Sequence, residues 1–498
     1  MNTGDIVKIT FPNNQEYAFL VQQFVREIAK TIGFGGSSLN QIDIAIEEAV
    51  SNVVVHTHDE ENPTFDILCE KIGGGIKITL KEMGIPFDPE KLKKYELSND
   101  PNTLGTSGLG IYLIQKVMDG LWFKNLGIKG KETIMIKYLP GNTGKNECAE
   151  CPEILHEEPK VISEKIAYDI RGMQEDEAIE ISRCAYKTHG YTFFDDHIYY
   201  PERLVEMIKT NQMISAVAVT KDNTFMGHAA FLYQHPEAPI AELTFVFVNV
   251  EYRGQGALNR LVEYLYNVPK TRVLKGIYAY AVTNHLFTQK SMLKFGINDC
   301  GILVATSPNS WKFKGISDDT TQRISTVLSF KYMVPPQKQT LFVPPHHVDM
   351  IEKLYRNIGA EHEFVIFESP EITFEEPFAV IESELNELES CAEIAVLTYG
   401  QDALRQVRIL LKNFCIQQVA AIQLFIRLDD PLTCQMTGEF EKLGFFFAGI
   451  LPETRMGDVL ILQYLNNVEF DYDKMHILTD LAKELSAYIK ANDPNIIK

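Results

Sequence analysis

The chain has 498 residues, enough for roughly two to four domains that each bury a core. A formal charge of −20, with no basic stretch to offset it, argues against nucleic acid as a partner and suits a cytoplasmic protein that meets proteins or small molecules. No window approaches about eighteen consecutive apolar residues, and the N-terminus (MNTGDIVKITF) has no cationic segment followed by an apolar run, so neither a membrane span nor a secretory signal is expected.

Residues 5–11 alternate like a strand, and residues 15–32 turn helical, with Phe19, Leu20, Phe24, Val25 and Ile28 on one stripe. Gly33, Gly35 and Gly36 end that helix. A second amphipathic helix is predicted from Ile42 to His58, with Ser37 and Ser38 upstream as candidate caps. Glu48 and Asn52 lie one turn apart on its polar side, where a carboxylate and an amide oxygen can hold a hydrated metal ion against a phosphate. Strands are predicted at 64–72 and 76–82, joined by Gly73-Gly74-Gly75. The sequence GIPFDP follows, from Gly84 to Pro89. Residues 90–107 are polar, lack periodicity and read as a mobile loop. Gly108-Leu109-Gly110 then opens a helix, and strands are predicted at 121–126 and 132–139. Glycine-flanked turns at helix N-termini attract phosphate, because free backbone N–H groups and the helix dipole both favour an anion.

The ordered set EEAVSNVVVH, MGIPFDP and TSGLGIYLIQKVMDG resembles the GHKL-type ATPases, and within them the anti-sigma-factor serine kinase branch. The resemblance covers residues 1–140 and implies an α/β sandwich that holds ATP and Mg²⁺. It implies that Glu48 is the general base for a substrate serine and that Asn52 is the Mg²⁺ ligand. Glu82 and Gly84 would lie at the adenine end, with Glu82 standing where the family usually has Asp. Thr106, Ser107, Gly108, Leu109 and Gly110 would wrap the phosphates, and residues 90–107 would be the lid.

Residues 141–160 are polar and aperiodic and read as a linker. They carry Cys148 and Cys151, a lone pair of thiols where zinc takes four ligands. The other cysteines are scattered, which fits reduced thiols better than a disulfide framework. From Val161 the pattern runs strand, helix, helix, strands, and a β-type run from Ala241 to Val250 ends at Tyr252-Arg253-Gly254-Gln255-Gly256-Ala257, where a helix starts. This is a second anion cradle of the same physical kind. Residues 161–330 resemble the GNAT acyltransferases, whose signature is R/Q-x-x-G-x-G/A. Arg253 and Gly256 fit, and Leu258 stands where Gly or Ala is usual. The resemblance implies that Arg253, Gly254, Gln255, Gly256, Ala257 and Leu258 bind the pyrophosphate of acetyl-coenzyme A, and that Val248 and Val250 border its pantetheine arm. Met292 takes the place of the tyrosine that often protonates the leaving thiolate, and methionine has no proton to give. Glu242, on the strand that leads into the cradle, is the candidate base.

His346-His347 reads as a lead-in to the helix that follows rather than as a metal site. Residues 331–498 resemble the second half of a GNAT unit without its glycine turn, since Gly-Gln-Asp-Ala-Leu follows Tyr399. They are expected to form a degenerate GNAT-like domain that packs on the middle one. The helix at 472–490 is expected to close the chain. The expected architecture is therefore multidomain α+β and α/β: a GHKL sandwich, a GNAT fold and a GNAT-like C-terminal domain. The expected function is an ATP-binding signalling protein of serine-kinase type fused to an N-acyltransferase. Its partners would be a sigma factor or an anti-anti-sigma protein, and a small-molecule or protein amine. The alternatives are an acyltransferase regulated by ATP and a scaffold that binds coenzyme A without catalysis.

Overall fold

The computed structural model describes residues 4–56, 64–83, 109–126, 130–140, 164–189, 193, 195–235, 238–268, 273–309, 311, 321–366 and 374–496. The chain divides into two compact units. One comprises residues 1–165, 174–205 and 249–255, and the other residues 166–173, 206–248 and 256–498.

In the first unit the alternating and helical stretches become β1 (Ile6–Pro12), α1 (Ala18–Ile32), α2 (Gly36–His56), β2 (Thr64–Ile72), β3 (Gly75–Glu82), α3 (Leu109–Val117), β4 (Gly120–Asn125) and β5 (Lys131–Tyr138). The five strands form one antiparallel sheet in the order β1-β2-β3-β5-β4. Val21, Val25 and Ala29 of α1 and Ile42, Ile46, Ala49 and Val53 of α2 pack into one core with Ile67, Ile78 and Leu80 of the sheet. This is a helix layer on a sheet, as expected. Helix α2 starts earlier than its apolar spacing indicates and runs through Ser37 and Ser38. Buried Leu39 belongs to the core stripe, so the first turn is recruited by packing rather than ended by a serine cap. The unit also carries α4 (Ala178–His189), whose buried Ser182 donates to the Ile198 carbonyl at 2.7 Å.

The second unit is built on one twelve-stranded sheet. Its first half contains β6 (Tyr168–Gly172), β7 (Met213–Thr220), β8 (Phe225–Leu232), β9 (Ile240–Val248), β10 (Gly276–Val282), β11 (Asn298–Ser307) and β12 (Ile324–Tyr332). With these come α6 (Ala257–Asn267) and α7 (Phe287–Lys294), while α5 (Pro201–Lys209) runs across the boundary between the units at residues 205 and 206. A short parallel pair, β13 (Thr340–Phe342) and β14 (Glu363–Val365), brackets α8 (Val348–Asn357). The rest of the large sheet is β15 (Val380–Asn386), β16 (Cys391–Thr398), β17 (Ala421–Arg427), β18 (Phe446–Thr454) and β19 (Gly457–Leu465), with α9 (Ala403–Ile416), α10 (Thr433–Glu441) and α11 (Asp480–Asn492). The strand order is β15-β16-β17-β19-β18-β11-β12-β10-β9-β8-β7-β6. Helix α11 begins later than the hydrophobic pattern suggests, because residues 472–474 form a separate 3-10 turn.

The C-terminal half does more than pack on its neighbour; it continues the same sheet. At the seam β11 meets β18 through Gly301 and Gly449. A Cβ on Gly449 would lie 2.3 Å from the Gly301 Cα, so only glycine permits this approach. The Gln463 amide spans the join as a strand would, accepting from the Val304 N–H at 2.8 Å and donating to its carbonyl at 2.6 Å. Among the described residues no helix is long and apolar enough to cross a membrane.

Candidate functional site

Two corners of the molecule gather the residues singled out by sequence. The first lies where α2 meets α3. A Cβ built on Gly110, in the first turn of α3, would sit 2.6 Å from Glu48 Oε2 and 3.6 Å from Asn52 Oδ1. Both polar side chains of α2 therefore converge on the start of α3, and a glycine there lets the backbone approach them. Glu48 is half-buried. Burial, and then repulsion from Glu47, raise its carboxyl above the usual range, so it holds a proton more readily than a solvated glutamate. Neighbouring Glu47 turns outward to Gln22, whose Nε2 donates to it at 3.2 Å. Glu82 is buried at the end of β3, with Oε1 3.4 Å from Lys131 Nζ on the paired strand. Leu109 opens α3. Gly84, Thr106, Ser107 and Gly108 lie outside the described residues, as does the whole of the stretch 90–107.

The second corner is the turn between β9 and α6. β9 and β10 pair in parallel only from Ile240–Gly276 to Glu242–Tyr278. Beyond that point β9 stays with β8 and β10 with β12, so the two strands open into a wedge. A bulge in β9 accompanies the opening. Phe245 takes a left-handed conformation, φ +52°, which costs a bulky residue on the order of 1 kcal/mol or more. Buried His228 holds it there. His228 Nδ1 lies 2.7 Å from the Phe245 carbonyl and Nε2 lies 2.7 Å from Ser215 Oγ. The carbonyl can only accept, so Nδ1 carries the proton and the serine hydroxyl donates to Nε2. Burial drives the His228 pKa down to about 4, which keeps the ring neutral in this role. The service of His228 to the bulge requires that β8 and β9 be neighbours.

After β9 a 3-10 turn (residues 250–252) leads to Arg253, which is extended. Gly254 and Gly256 both have positive φ, +82° and +79°, which side chains adopt only with strain. Gly256 is the N-cap of α6 and has no side chain to satisfy the first-turn amides of Ala257 and Leu258. Tyr168 lies beside Gly256, its hydroxyl 3.9 Å from where a Cβ would be, and Arg260 stacks over the Tyr168 ring at 4.3 Å. Gln255 turns aside and donates to the Glu164 carbonyl at 2.8 Å. Val248 and Val250 are half-buried along the approach. Glu242 is buried on β9, the register partner of Tyr278, at the apex of the wedge. Met292 is buried in the core.

One metal-like cluster escaped sequence reading. His346 and His347 do lead into α8, but Glu441 of α10 reaches both rings, at 2.9 and 2.7 Å. His347 Nδ1 also lies 2.7 Å from the Tyr488 hydroxyl. The two rings hold the Glu441 pKa down near about 2. No spacing rule links 346 to 441, so only the fold reveals the third side chain.

Residues 11–137 match the histidine kinase-like ATPase domain model, and residues 177–296 match the acetyltransferase (GNAT) family model. The serine-protein kinase RsbW of Bacillus thuringiensis (strain Al Hakam) is 26% identical over 151 residues, spanning 30% of this chain and 93% of the relative. The protein of the same name from Bacillus anthracis (strain CDC 684) gives the same identity and coverage. Among solved structures, an N-acetyltransferase from Staphylococcus aureus Mu50 aligns at 18% identity and TM-score 0.26, over 34% of this chain and 99% of that one. PaiA N-acetyltransferase from Thermoplasma acidophilum, solved with coenzyme A, aligns at 14% identity and TM-score 0.25, over 34% and 99%. The chain thus joins a histidine kinase-like ATPase domain, related to serine-protein kinases, to a domain of the acetyltransferase (GNAT) family.

Proposed function

We propose that this protein is an ATP-dependent signalling protein of serine-kinase type, joined to an N-acyltransferase that draws on acetyl-coenzyme A. The observation that carries the first part is the convergence of Glu48 and Asn52 on Gly110. In this reading Glu48 takes the proton from a serine hydroxyl of a sigma-factor or anti-anti-sigma type partner. The serine oxygen bonds to the γ-phosphorus of ATP, the bond to the β-phosphate oxygen breaks, and ADP leaves. The raised affinity of Glu48 for protons suits it to that step. Magnesium, when bound, would neutralise charge on the phosphates, and Asn52 Oδ1 is the side-chain ligand this corner offers. Thr106 to Gly110 would supply the phosphate wrap, with Glu82 and Gly84 at the adenine end. Phosphoryl transfer asks the protein mostly for positioning and charge placement, which matches a site with one carboxylate base and a helix N-terminus.

The second part rests on the wedge and on the uncapped start of α6. Residues 253–258 would hold the pyrophosphate of acetyl-coenzyme A, and the opened edge of β9 through Val248 and Val250 would flank its pantetheine arm. The amine nitrogen attacks the thioester carbonyl, Glu242 accepts the amine proton, and the thiolate departs to be protonated by solvent. Met292 cannot supply that proton, and this supports a second reading in which the domain binds acetyl-coenzyme A without transferring the acyl group.

The test is a transfer assay with γ-labelled ATP and candidate partner proteins, set beside a calorimetric titration of acetyl-coenzyme A. Label transfer by the parent and its loss in Glu48→Ala are expected; transfer that survives the substitution removes Glu48 from its role. Heat on titration without turnover of any amine favours the binding-only reading, and no heat removes both readings of the second domain.

A further inference from the structure

The histidine pair before α8 serves neither of the two corners. His346 and His347 end the 3-10 turn at residues 345–347, and their ring centroids lie 4.1 Å apart. Glu441, the last residue of α10, reaches both rings. His346 Nε2 lies 2.9 and 3.1 Å from its two carboxylate oxygens, and His347 Nε2 lies 2.7 Å from Oε1. Among the described residues no lysine or arginine pairs with Glu441, so the two imidazoles are its charge partners. Two ring nitrogens and a carboxylate thus converge from segments 94 residues apart.

The hydrogen count at this meeting point is short by one. The Tyr488 hydroxyl of α11 lies 2.9 Å from the His346 carbonyl and 2.7 Å from His347 Nδ1. A carbonyl only accepts, so the single hydroxyl proton goes to it, and His347 Nδ1–H donates to the tyrosine oxygen. In the neutral ring that leaves Nε2 without a proton, facing Glu441 with a lone pair. A neutral imidazole and an ionised carboxylate would then meet acceptor to acceptor at 2.7 Å, the spacing of a hydrogen bond with no hydrogen in it. A positive centre between them removes the conflict. A proton would serve those two atoms alone, whereas a metal ion would serve them and His346 Nε2 together. The His347 ring is held in place, fully buried and packed on Phe447 of β18 with centroids 4.8 Å apart. His346 is half exposed, which leaves a path for an ion to enter.

We propose that His346, His347 and Glu441 form a binding site for a divalent transition metal of the zinc type, with water completing the coordination. Imidazole nitrogens beside one carboxylate suit zinc and its first-row neighbours, whereas magnesium and calcium seek shells made of oxygen. Zinc bonds of about 2.0–2.2 Å set tetrahedral ligand atoms roughly 3.4 Å apart, so the three side chains need to spread by about half an ångström. The half-exposed His346 ring has the freedom to do so. Tyr488 is the positioning residue: by taking the Nδ1 proton it aims the His347 lone pair at the ion, as partners of metal-bound histidines do. The ion would tie the turn before α8 to the end of α10. None of these residues belongs to the α2–α3 corner or to the β9–α6 turn, so the metal site stands whatever those corners bind.

The test is calorimetric titration of Zn²⁺ into the chelator-treated full chain, with and without Mg²⁺, and Co²⁺ absorption as the reporter of ligand type. Zinc is expected to bind with a Kd below about 100 μM, unaffected by equimolar magnesium. His346→Ala, at a half-exposed position, should remove one zinc equivalent while the circular dichroism of the chain stays that of the parent. Glu441→Gln and Tyr488→Phe keep the shape and should each weaken zinc at least tenfold, the first by removing the ligand charge and the second by releasing the His347 tautomer. Cobalt held here should give d–d bands that vanish in His346→Ala, without the sulfur charge transfer that thiols such as Cys148 and Cys151 would add. No saturable zinc binding up to about 100 μM, the same stoichiometry and affinity in the parent and His346→Ala, an affinity that neither Glu441→Gln nor Tyr488→Phe lowers, or displacement of zinc by equimolar magnesium overturns the assignment.

Discussion

The two halves of the large sheet repeat one local motif, strand then tight turn then helix, and put it to opposite ends. In the first half β9 runs through Gly254 and Gly256 into α6, and the helix start is left without a side-chain cap. In the second half β16 runs through Gly400 into α9, and the turn is closed by the protein itself. A Cβ on Gly400 would lie 2.2 Å from the Phe378 carbonyl carbon, so the chain leading into β15 occupies the space above the turn. Asp402 accepts the Ala379 N–H at 2.8 Å and the Gln406 Nε2 at 2.8 Å. A carboxylate therefore stands at this helix start, where an anion would otherwise be attracted. The strands differ in the same sense. β9 and β10 part after Glu242, whereas β16 and β17 stay paired from Cys391 to Val396. One half keeps a wedge and an open helix end; the other spends both on its own stability. The motif alone does not make a phosphate site; what packs against the turn decides.

That contrast can be broken at both turns. The largest effect is expected from Gly400→Ala, which drives a methyl group into main chain and should destabilise the second unit by about 3 kcal/mol in denaturant unfolding, with acetyl-coenzyme A affinity unchanged in the folded fraction. Next is Glu393→Gln, on the strand that carries the closed turn. The Glu393 pKa is raised from 4.5 to about 7, so its contribution to stability is full below about pH 4.5 and is lost as pH rises through 7. The neutral amide should abolish that loss and stabilise the protein above pH 7 by up to on the order of 3 kcal/mol, read as a flattened pH dependence of the unfolding midpoint. A parent protein whose stability is flat between pH 5 and about 8 would argue against an uncompensated carboxyl there.

Gly256→Ala tests the open turn. A Cβ meets nothing closer than the Tyr168 hydroxyl at 3.9 Å, so only the left-handed backbone resists it, at about 1 kcal/mol. Stability should change little, while acetyl-coenzyme A affinity falls several-fold; unchanged affinity would detach the turn from the coenzyme. The smallest stability effect is expected from Gly110→Ala in the other unit. Alanine favours a helix over glycine by about 1 kcal/mol, which offsets the cost of pushing aside the flexible Glu48 carboxylate. Unfolding should shift by less than about 1 kcal/mol, while any Glu48-dependent phosphoryl transfer drops at least tenfold.

Much of the layout is legible in the chain. The apolar period of α2, the glycine hairpin between β2 and β3, and the break from β-type residues into Arg253–Gly256 are local signals, and the structure follows them within a few residues. The spacing of Glu48 and Asn52 puts both on one side of a helix wherever that helix goes. Other features have no local signal. His228 reaches the Phe245 carbonyl only because β8 and β9 pair across a bulge. Glu441 finds two histidines that precede it by most of a domain half. Ser37 and Ser38 look like caps until Leu39 draws the turn into the core.

The sequence by itself therefore determined the elements, the turns that need glycine and the helical spacing of Glu48 and Asn52, because each depends on residues within a turn or two of one another. Only the tertiary structure decided that Gly110 meets Glu48 and Asn52, that one sheet runs through both halves of the second unit, that Asp402 closes one turn while Gly256 leaves the other open, and that Glu393 faces Tyr278 and Tyr280. Those contacts join residues far apart in the chain. Sheet order and curvature bring them together, and neither is encoded in any short stretch of residues.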